Sequence, residues 1–398
     1  MTSALRAAGV LLALATTSLA ACTGPAAPVR PSTSPAAATV PTAPRPSPTP
    51  TAGGPGRQGF TIVATGDVLV HMPVARRALR DGGGRRYDFT RMLARVKPLV
   101  AAADLAICHV ETPLSRDNRD ISGYPLFNAP RELAAAYAWA GYDTCSTASN
   151  HSLDRGLRGI GATLGALDAA GLGHTGTART AREAARIPLR RVAAGAVVAH
   201  LSYSYGFNGI PVPPGQPWAA NALDVPRILA DARRARAAGA TFVVLSLHWG
   251  QEYRSAPTTQ QRAQARRLLA SPDVDLVLGD HVHVQQPVER IGGKYVAYGM
   301  GNLLSNQSAA AGLPPQTQDG SLVTVHVAAR PSGGWAADRV TVTPTYCQIG
   351  PYTVWPVKRA LADRATPAAL RPALAASLAR STAVYRGHSG HRDDARLD

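Results

Sequence analysis

Apolar residues along this chain gather into short runs, and five of those runs finish on the same kind of residue. Thr61–Thr65 leads into Gly66-Asp67, Asp104–Cys108 into His109-Val110-Glu111, and Asp143–Ala148 into Ser149-Asn150-His151. Phe242–Leu247 leads into His248-Trp249-Gly250, and Asp275–Leu278 into Gly279-Asp280-His281-Val282-His283. Runs of this length and content predict buried strands. Polar residues of these types are usually exposed, so packing gives no reason for them to follow buried strands five times. The recurrence points to a site assembled at the carboxyl ends of strands, where open α/β sheets bind their ligands.

Between these strands the spacing turns helical. Phe89–Val100 carries apolar residues at helical intervals, and Pro130-Arg131-Glu132 opens an Ala-rich helix with Gly141 as its C-cap. Leu153–Ala170 reads as a helix closed by Gly171, and Val225–Ala238 as one closed by Gly239. Alternation of strand and helix predicts an α/β domain with a largely parallel sheet. Ile187–Tyr205, Val288–Met300 and Leu322–Thr343 have the Gly-rich turns of hairpins and add antiparallel portions. The Ala- and Arg-rich tail from Pro356 to Asp398 predicts a helix or two on the outside, followed by disorder.

The amino end belongs to a different regime. One positive charge precedes an apolar stretch, Ala7–Ala20, too short to span a bilayer, which is the pattern of a secretory signal over residues 1–21. Leu19-Ala20-Ala21-Cys22 resembles a lipobox, so Cys22 is the expected lipidation site and first mature residue, with acyl chains as the membrane anchor. Residues 22–59 are Pro, Thr, Ser and Ala with few large apolar residues, the composition of an extended tether. These features predict an extracytoplasmic protein held at the cell membrane.

Composition changes this picture little. Lys+Arg number 42 against 25 Asp+Glu, a formal net charge of +17, and nearly all the cations are arginines spread along the chain. The excess favours anionic polymers or lipid head groups, but no basic cluster interleaved with aromatics supports nucleic-acid binding. Cys108, Cys145 and Cys347 have no Cys-x-x-Cys zinc spacing. Cys108 and Cys145 read as two small buried thiols, with a disulfide between neighbouring strands as the alternative.

The strand-end residues Asp67, Glu111, Asn150, His248, His281 and His283 form a mixed carboxylate, amide and imidazole set suited to two divalent ions, Zn, Mn or Fe. Two such ions would polarise an anionic substrate and activate water, and His151 is placed to donate a proton to a leaving group. His71, His109, Glu252 and Asn302 are further candidates for the site. Asp154 reads as a helix N-terminal residue that complements the dipole. Trp249 and Tyr253 read equally as groove walls or packing lids, and Arg131 as a surface residue.

The ordered set Gly-Asp, His-Val-Glu-Thr-Pro-Leu, Asn-His-Ser-Leu-Asp-Arg-Gly, His-Trp-Gly-Gln-Glu-Tyr, Gly-Asp-His-Val-His-Val-Gln-Gln-Pro-Val-Glu and Tyr-Gly-Met-Gly-Asn-Leu resembles the bacterial capsule-synthesis CapA family, associated with poly-γ-glutamate. That family is similar to calcineurin-like metallophosphoesterases. The resemblance spans roughly Phe60–Val342 and implies a four-layer α/β/β/α sandwich with mixed sheets, occupying residues 60–346, with 347–398 as a helical extension and tail. It implies that Asn150 and His281 serve one metal and His283 the other, with Asp67 and Glu111 near the shared side. The chain departs from the pattern where Leu69 replaces the His of an Asp-x-His motif, where His109 stands in place of Asn, and where Asp280 adds a carboxylate. His71 is the proposed replacement at the first motif, His109 an extra ligand, and Asp280 an orienting group. Two functions stay open: a metal-dependent hydrolase of a phosphoester or γ-glutamyl amide that processes an anionic envelope polymer, or a non-catalytic polymer-binding module of an export or synthase complex.

Overall fold

In a computed structural model, which describes residues 59–387 and 395–398, all five runs are strands. The strands in chain order are β1 (Gly59–Thr65), β2 (Asp67–Val68), β3 (Leu105–His109), β4 (Thr144–Ser146), β5 (Gly173–Thr175) and β6 (Leu189–Arg191). There follow β7 (Val197–Ser204), β8 (Phe242–His248), β9 (Leu276–Asp280), β10 (Val288–Ile291), β11 (Lys294–Ala297) and β12 (Asn302–Leu304). The last are β13 (Asp319–Ala329), β14 (Trp335–Gln348), β15 (Thr353–Pro356) and β16 (Arg396–Leu397). The helices are α1 (Met72–Asp81), α2 (Thr90–Leu93), α3 (Lys97–Val100), α4 (Glu132–Ala140) and α5 (Gly156–Ala169). They continue with α6 (Ala181–Ala185), α7 (Val225–Ala237), α8 (Thr259–Leu269), α9 (Val357–Ala362) and α10 (Arg371–Gly387).

Two mixed sheets carry the fold. The first has the order β15-β14-β13-β1-β3-β4-β5 with β16 beside β14, and the second β10-β11-β9-β8-β7-β6. β1, β3, β4 and β5 run parallel, as do β7, β8, β9 and β11, while the three expected hairpins supply the antiparallel pairs β6–β7, β10–β11 and β13–β14. Side chains alternate across each strand. On β1, Phe60, Ile62 and Ala64 face inward and meet Phe242, Val244, Leu276 and Leu278 of the second sheet, so the two sheets pack face to face. Val63 points the other way, into a core shared with residues of α1, α2, α4 and α5. Val243, Leu245 and Leu247 of β8 face outward onto α7 and α8. The result is the four-layer α/β/β/α arrangement.

Several expectations need correction. Phe89–Val100 forms two short helices, because Pro98 has no amide to continue a helical ladder and is tolerated only in the first turn of α3. Both α1 and α8 escaped the sequence pattern; α8 is rich in Arg and Gln and buries only Gln261, Ala265, Leu268 and Leu269. The domain boundary drawn at 346 falls inside β14, and β15 extends the same sheet. α9 and α10 add a small core of their own, with Trp355, Val357, Leu370 and Leu374. Of the tail expected to be disordered, Arg396–Leu397 pairs with β14. The leader, Cys22 and tether lie outside the described residues apart from Gly59, which begins β1. No helix among the described residues is long and apolar enough to cross a membrane.

Cys108 and Cys145 are joined in a disulfide rather than lying as separate thiols. They face each other directly in the parallel register of β3 and β4, which the sequence could not reveal. The bond closes a loop across 37 positions. A Cys108→Ala/Cys145→Ala chain should lose about 3–4 kcal/mol of unfolding free energy in denaturant titration, from the released loop entropy. Cys347 is buried and free, with its thiol pushed up to about 12 by burial despite a contact with the Ser305 carbonyl. It should resist alkylation at neutral pH in the native protein and react at once in denaturant.

Candidate metal centre

The site lies where β1, β3, β4, β8 and β9 end. Gly66 is required there because a Cβ would come within 1.9 Å of the Gly301 carbonyl oxygen, and the close approach lets Asp67 donate its amide to that same oxygen at 2.9 Å. Gly279 lies inside β9, and its side-chain space is filled by the Tyr298 carbonyl, 2.0 Å from a built Cβ. The turn is made by the histidines themselves. His281 and His283 have φ of 92° and 58°, a conformation that costs a non-Gly residue about 1–3 kcal/mol.

Asp67 is fully buried and joins the two sheets. It accepts the His281 amide at 3.1 and 3.2 Å on its two oxygens, and its Oδ2 lies 3.1 Å from His283 Nδ1. Burial alone would raise its pKa, but the hydrogen bond and charge of His283, with help from His109, hold the carboxyl below the ordinary range. His283 is in turn raised: burial opposes its charge, and Asp67 outweighs that cost. Asn302 Oδ1, also 3.1 Å from His283 Nδ1, comes in from β12, which pairs with β2 at Asp67.

Burial favours the neutral form of His281, His109 and His248. Burial takes His281 down to about 3 and His109 to about 4, and pushes His248 well below its ordinary value. His109 Nδ1 lies 2.7 Å from Ser146 Oγ and its Nε2 3.1 Å from His248 Nδ1. His248 Nε2 donates to Asn150 Oδ1 at 2.9 Å. Three donor groups lie close enough to hold a cation: Asp67, His109 and His248; Asp67, Glu111 and His283; and Glu252, His281 and His283. Asp67 and His283 are each shared between two groups. Of the two histidines offered where the chain departs from the family pattern, His109, the expected extra ligand, is in a donor group. His71 is not: its Nδ1 lies 3.3 Å from the Leu69 carbonyl and its ring packs on Phe127.

Polar atoms buried without partners test whether cations suit this donor set. Both oxygens of Glu111, Oδ1 of Asp280 and Nδ1 of His281 are enclosed with no hydrogen bond among the described residues. An unpaired buried carboxylate is costly, and burial together with Asp67 and Asp280 pushes Glu111 well above the usual range. Divalent cations would satisfy these acceptors, and every donor is of a type that borderline metals accept. Asp280 sits 3.8 Å from His109 Nδ1, in reach of the orienting role.

His151 and Asp154 form a pair that the sequence reading undervalued. Asp154 Oδ2 accepts from His151 Nδ1 at 2.8 Å and from the Phe127 amide at 2.7 Å, so Asp154 anchors the imidazole and not only a helix start. The ring is held edge-on against Phe127, with centroids 4.7 Å apart. Ser149 was missed; its hydroxyl donates to the Glu111 carbonyl at 2.5 Å and fixes the loop before Asn150. Tyr205 was missed too: it is half exposed and its ring lies 4.5 Å from His281. Trp249 is a packing residue, buried with Nε1 donating to the Tyr298 carbonyl at 2.9 Å, whereas Tyr253 stands 6.1 Å from His283 at the rim. Arg131 is exposed, bonded to the Arg116 carbonyl.

The fold and donor set together define a double-sheet α/β protein with a buried carboxylate and imidazole centre at its strand ends. The family model for the bacterial capsule synthesis protein PGA_cap matches residues 61–307, and the chain belongs to that family. It is 25% identical to the PGA biosynthesis protein CapA of Bacillus subtilis over 300 residues, 74% of this chain and 73% of that protein. It is also 25% identical to the capsule biosynthesis protein CapA of Bacillus anthracis, over 67% of this chain and 64% of that one. Among solved structures it is similar to the calcineurin-like phosphoesterase YfkN from Bacillus subtilis, with a TM-score of 0.41 and 13% identity over 72% of this chain and 90% of that one.

Glu111→Gln should stabilise the metal-stripped protein by about 1–3 kcal/mol near neutral pH, because it removes a buried charge with no partner. The folded pKa of Glu111 lies above its unfolded value, so the penalty in the parent protein grows as pH rises. The gain should therefore vanish below the ordinary carboxyl range. Thermal unfolding with chelator across pH checks this. With excess divalent metal the order should reverse, since binding stabilises only the chain that keeps the donor.

Proposed function

We propose that this chain is an extracytoplasmic, membrane-anchored protein of capsule synthesis that acts on an anionic envelope polymer of the poly-γ-glutamate type through a two-metal centre. The observation that carries the metal centre is the set of unpaired acceptors on Glu111, Asp280 and His281 beside the shared Asp67 and His283. Asp67, Glu111, His109, His248, His281 and His283 would hold the ions, with Asn150 and Glu252 adjoining them. Divalent ions bound there supply positive charge for an anionic group and lower the pKa of water. Membership of the capsule family and the net charge of +17 support a polyanionic substrate.

The protein's own side chains supply orientation and proton transfer. Asp154 fixes the Nδ1–H of His151, which leaves Nε2 free to exchange a proton with a leaving group. Tyr205 and Tyr253 stand beside His281 and His283, one on each side of the strained turn, where they can bound the polymer chain. Asn208 Oδ1 accepts from the Asn150 side-chain amide at 3.2 Å and holds the donor loop beside His151. The reaction this supports is hydrolysis of a phosphoester or a γ-glutamyl amide.

Metal content of the full chain, purified without chelator or affinity metal, should approach two equivalents of a transition metal and collapse in His281→Ala/His283→Ala. His151→Ala should keep its metal and lose about 10²–10⁴-fold in turnover of γ-linked glutamate polymer or a model phosphoester. Full metal retention together with unchanged polymer binding and no hydrolysis by the parent chain would replace the hydrolase with a binding module.

A further inference from the structure

A second cavity, of about 540 Å³, opens at the free edges of the two sheets, where β5 ends the first and β6 the second. None of the metal-donor residues line it. Its volume falls within the range of ordinary small-ligand sites. The floor is polar: Thr144 and Thr175 come from the first sheet and His200 from β7. His200 belongs to the inward row of β7, because Ala199 and Leu201 on either side of it pack outward under α7.

His200 is the unusual member. It is 3% exposed, its Nε2 lies 2.8 Å from Ser246 Oγ, and its Nδ1 has no hydrogen-bond partner among the described residues. A buried imidazole nitrogen without a partner carries a desolvation cost that a bound polar group would remove. The serine hydroxyl can donate or accept, so either ring nitrogen can carry the proton. Burial keeps the ring neutral, at about 3.

The mouth is cationic. Arg179 engages Asp168 at 2.7 Å and pairs with Glu183, and with Arg186 and Arg190 the wall carries three arginines against these two carboxylates. Arg190 donates one guanidinium nitrogen to the Asp143 carbonyl, and Arg186 is exposed at the rim. Arginine guanidinium groups recognise carboxylates by paired, charge-assisted hydrogen bonds. We propose that this cavity between the sheet edges is a second ligand site, which binds a carboxylate-bearing chain segment with Arg186 and Arg190 at its mouth and His200 at its floor. The choice of a glutamyl chain as the ligand rests on the function proposed above; the site itself rests on the cavity and its walls. A site away from the hydrolytic centre would hold one stretch of polymer while another is processed.

The test is isothermal titration of the full-length chain with γ-linked triglutamate. Saturable binding is expected, about tenfold weaker in Arg186→Glu and lost in Ala184→Trp, which fills the cavity from α6. Binding by the parent chain in the presence of chelator should stay within about twofold of its value without chelator, which separates this site from the metal centre. Thermal melts establish that each variant is folded, and the exposed Arg186 gives a reading even where the Trp variant is not. No saturable binding overturns the proposal. So does binding that survives both Arg186→Glu and Ala184→Trp unchanged, or that disappears on addition of chelator alone. Binding at the cavity in a chain that neither holds metal nor hydrolyses polymer would leave this site standing and remove the hydrolase.

Discussion

The carboxylate of Asp67 is the interaction on which the rest of the centre depends. It leaves the first sheet immediately after β1, yet both its hydrogen-bond partners belong to the turn after β9 of the second sheet. A charge so enclosed is tolerable only with several donors around it. Those donors are an amide that reaches Asp67 because His281 adopts a left-handed backbone, and an imidazole, His283, positioned the same way two residues later. The hydrogen bonds and the charge pair with His283 thus offset both the strain of the turn and the desolvation of the carboxylate. Asn302 joins from β12 and ties the two-stranded β2–β12 pair to the same point. Removing any one of these contacts would leave the others bearing an uncompensated buried group.

Five strand ends were legible in the sequence because buried parallel strands are written as apolar runs and the residues after them had no packing reason to be polar. Asp67, Glu111, Asn150, His248, His281 and His283 are brought to one place for that reason. That His109 joins the donor set and His71 does not was not legible. Both lie within a few residues of a strand end, and only the pairing of β3 beside β1 puts His109 against Asp67, while α1 begins directly after His71 and turns it toward Leu69. Asp154 looked like a helix residue because its partner is set by a turn three residues long. Tyr205 gave no signal: it follows β7, whose last residues are polar and aromatic and resemble any strand leaving a sheet.

The disulfide shows the same limit. Two cysteines before two site residues could be neighbours or strangers, and only a register with Cys108 opposite Cys145 makes the bond. Its position is informative in hindsight. It locks the two strands one residue before His109 and Ser146, whose side chains are bonded to each other across the same pair of strands. The covalent link therefore fixes the relative height of two strand ends at the point where a shift along the strand would pull His109 away from His248.

The two ends of the inter-sheet space have opposite characters, and the topology explains why. Where the central strands β1, β3, β8 and β9 finish, both sheets contribute side chains, the space is closed, and polar atoms there are carboxylates and neutral imidazoles that have little access to water. At the β5 and β6 edges the sheets have no further strands to close them, so the gap between them stays open and is rimmed by arginines. A sheet edge is ordinarily a liability that a protein covers or charges. Here the charged edge faces a cavity with polar walls, while the apolar residues of β7 and β8 continue past it into the shared core. An anionic chain would meet the arginines before it met the enclosed carboxylates of the centre. On electrostatic grounds the open edge favours capture of such a chain and the strand ends favour its chemistry, one at the rim of the sandwich and the other inside it.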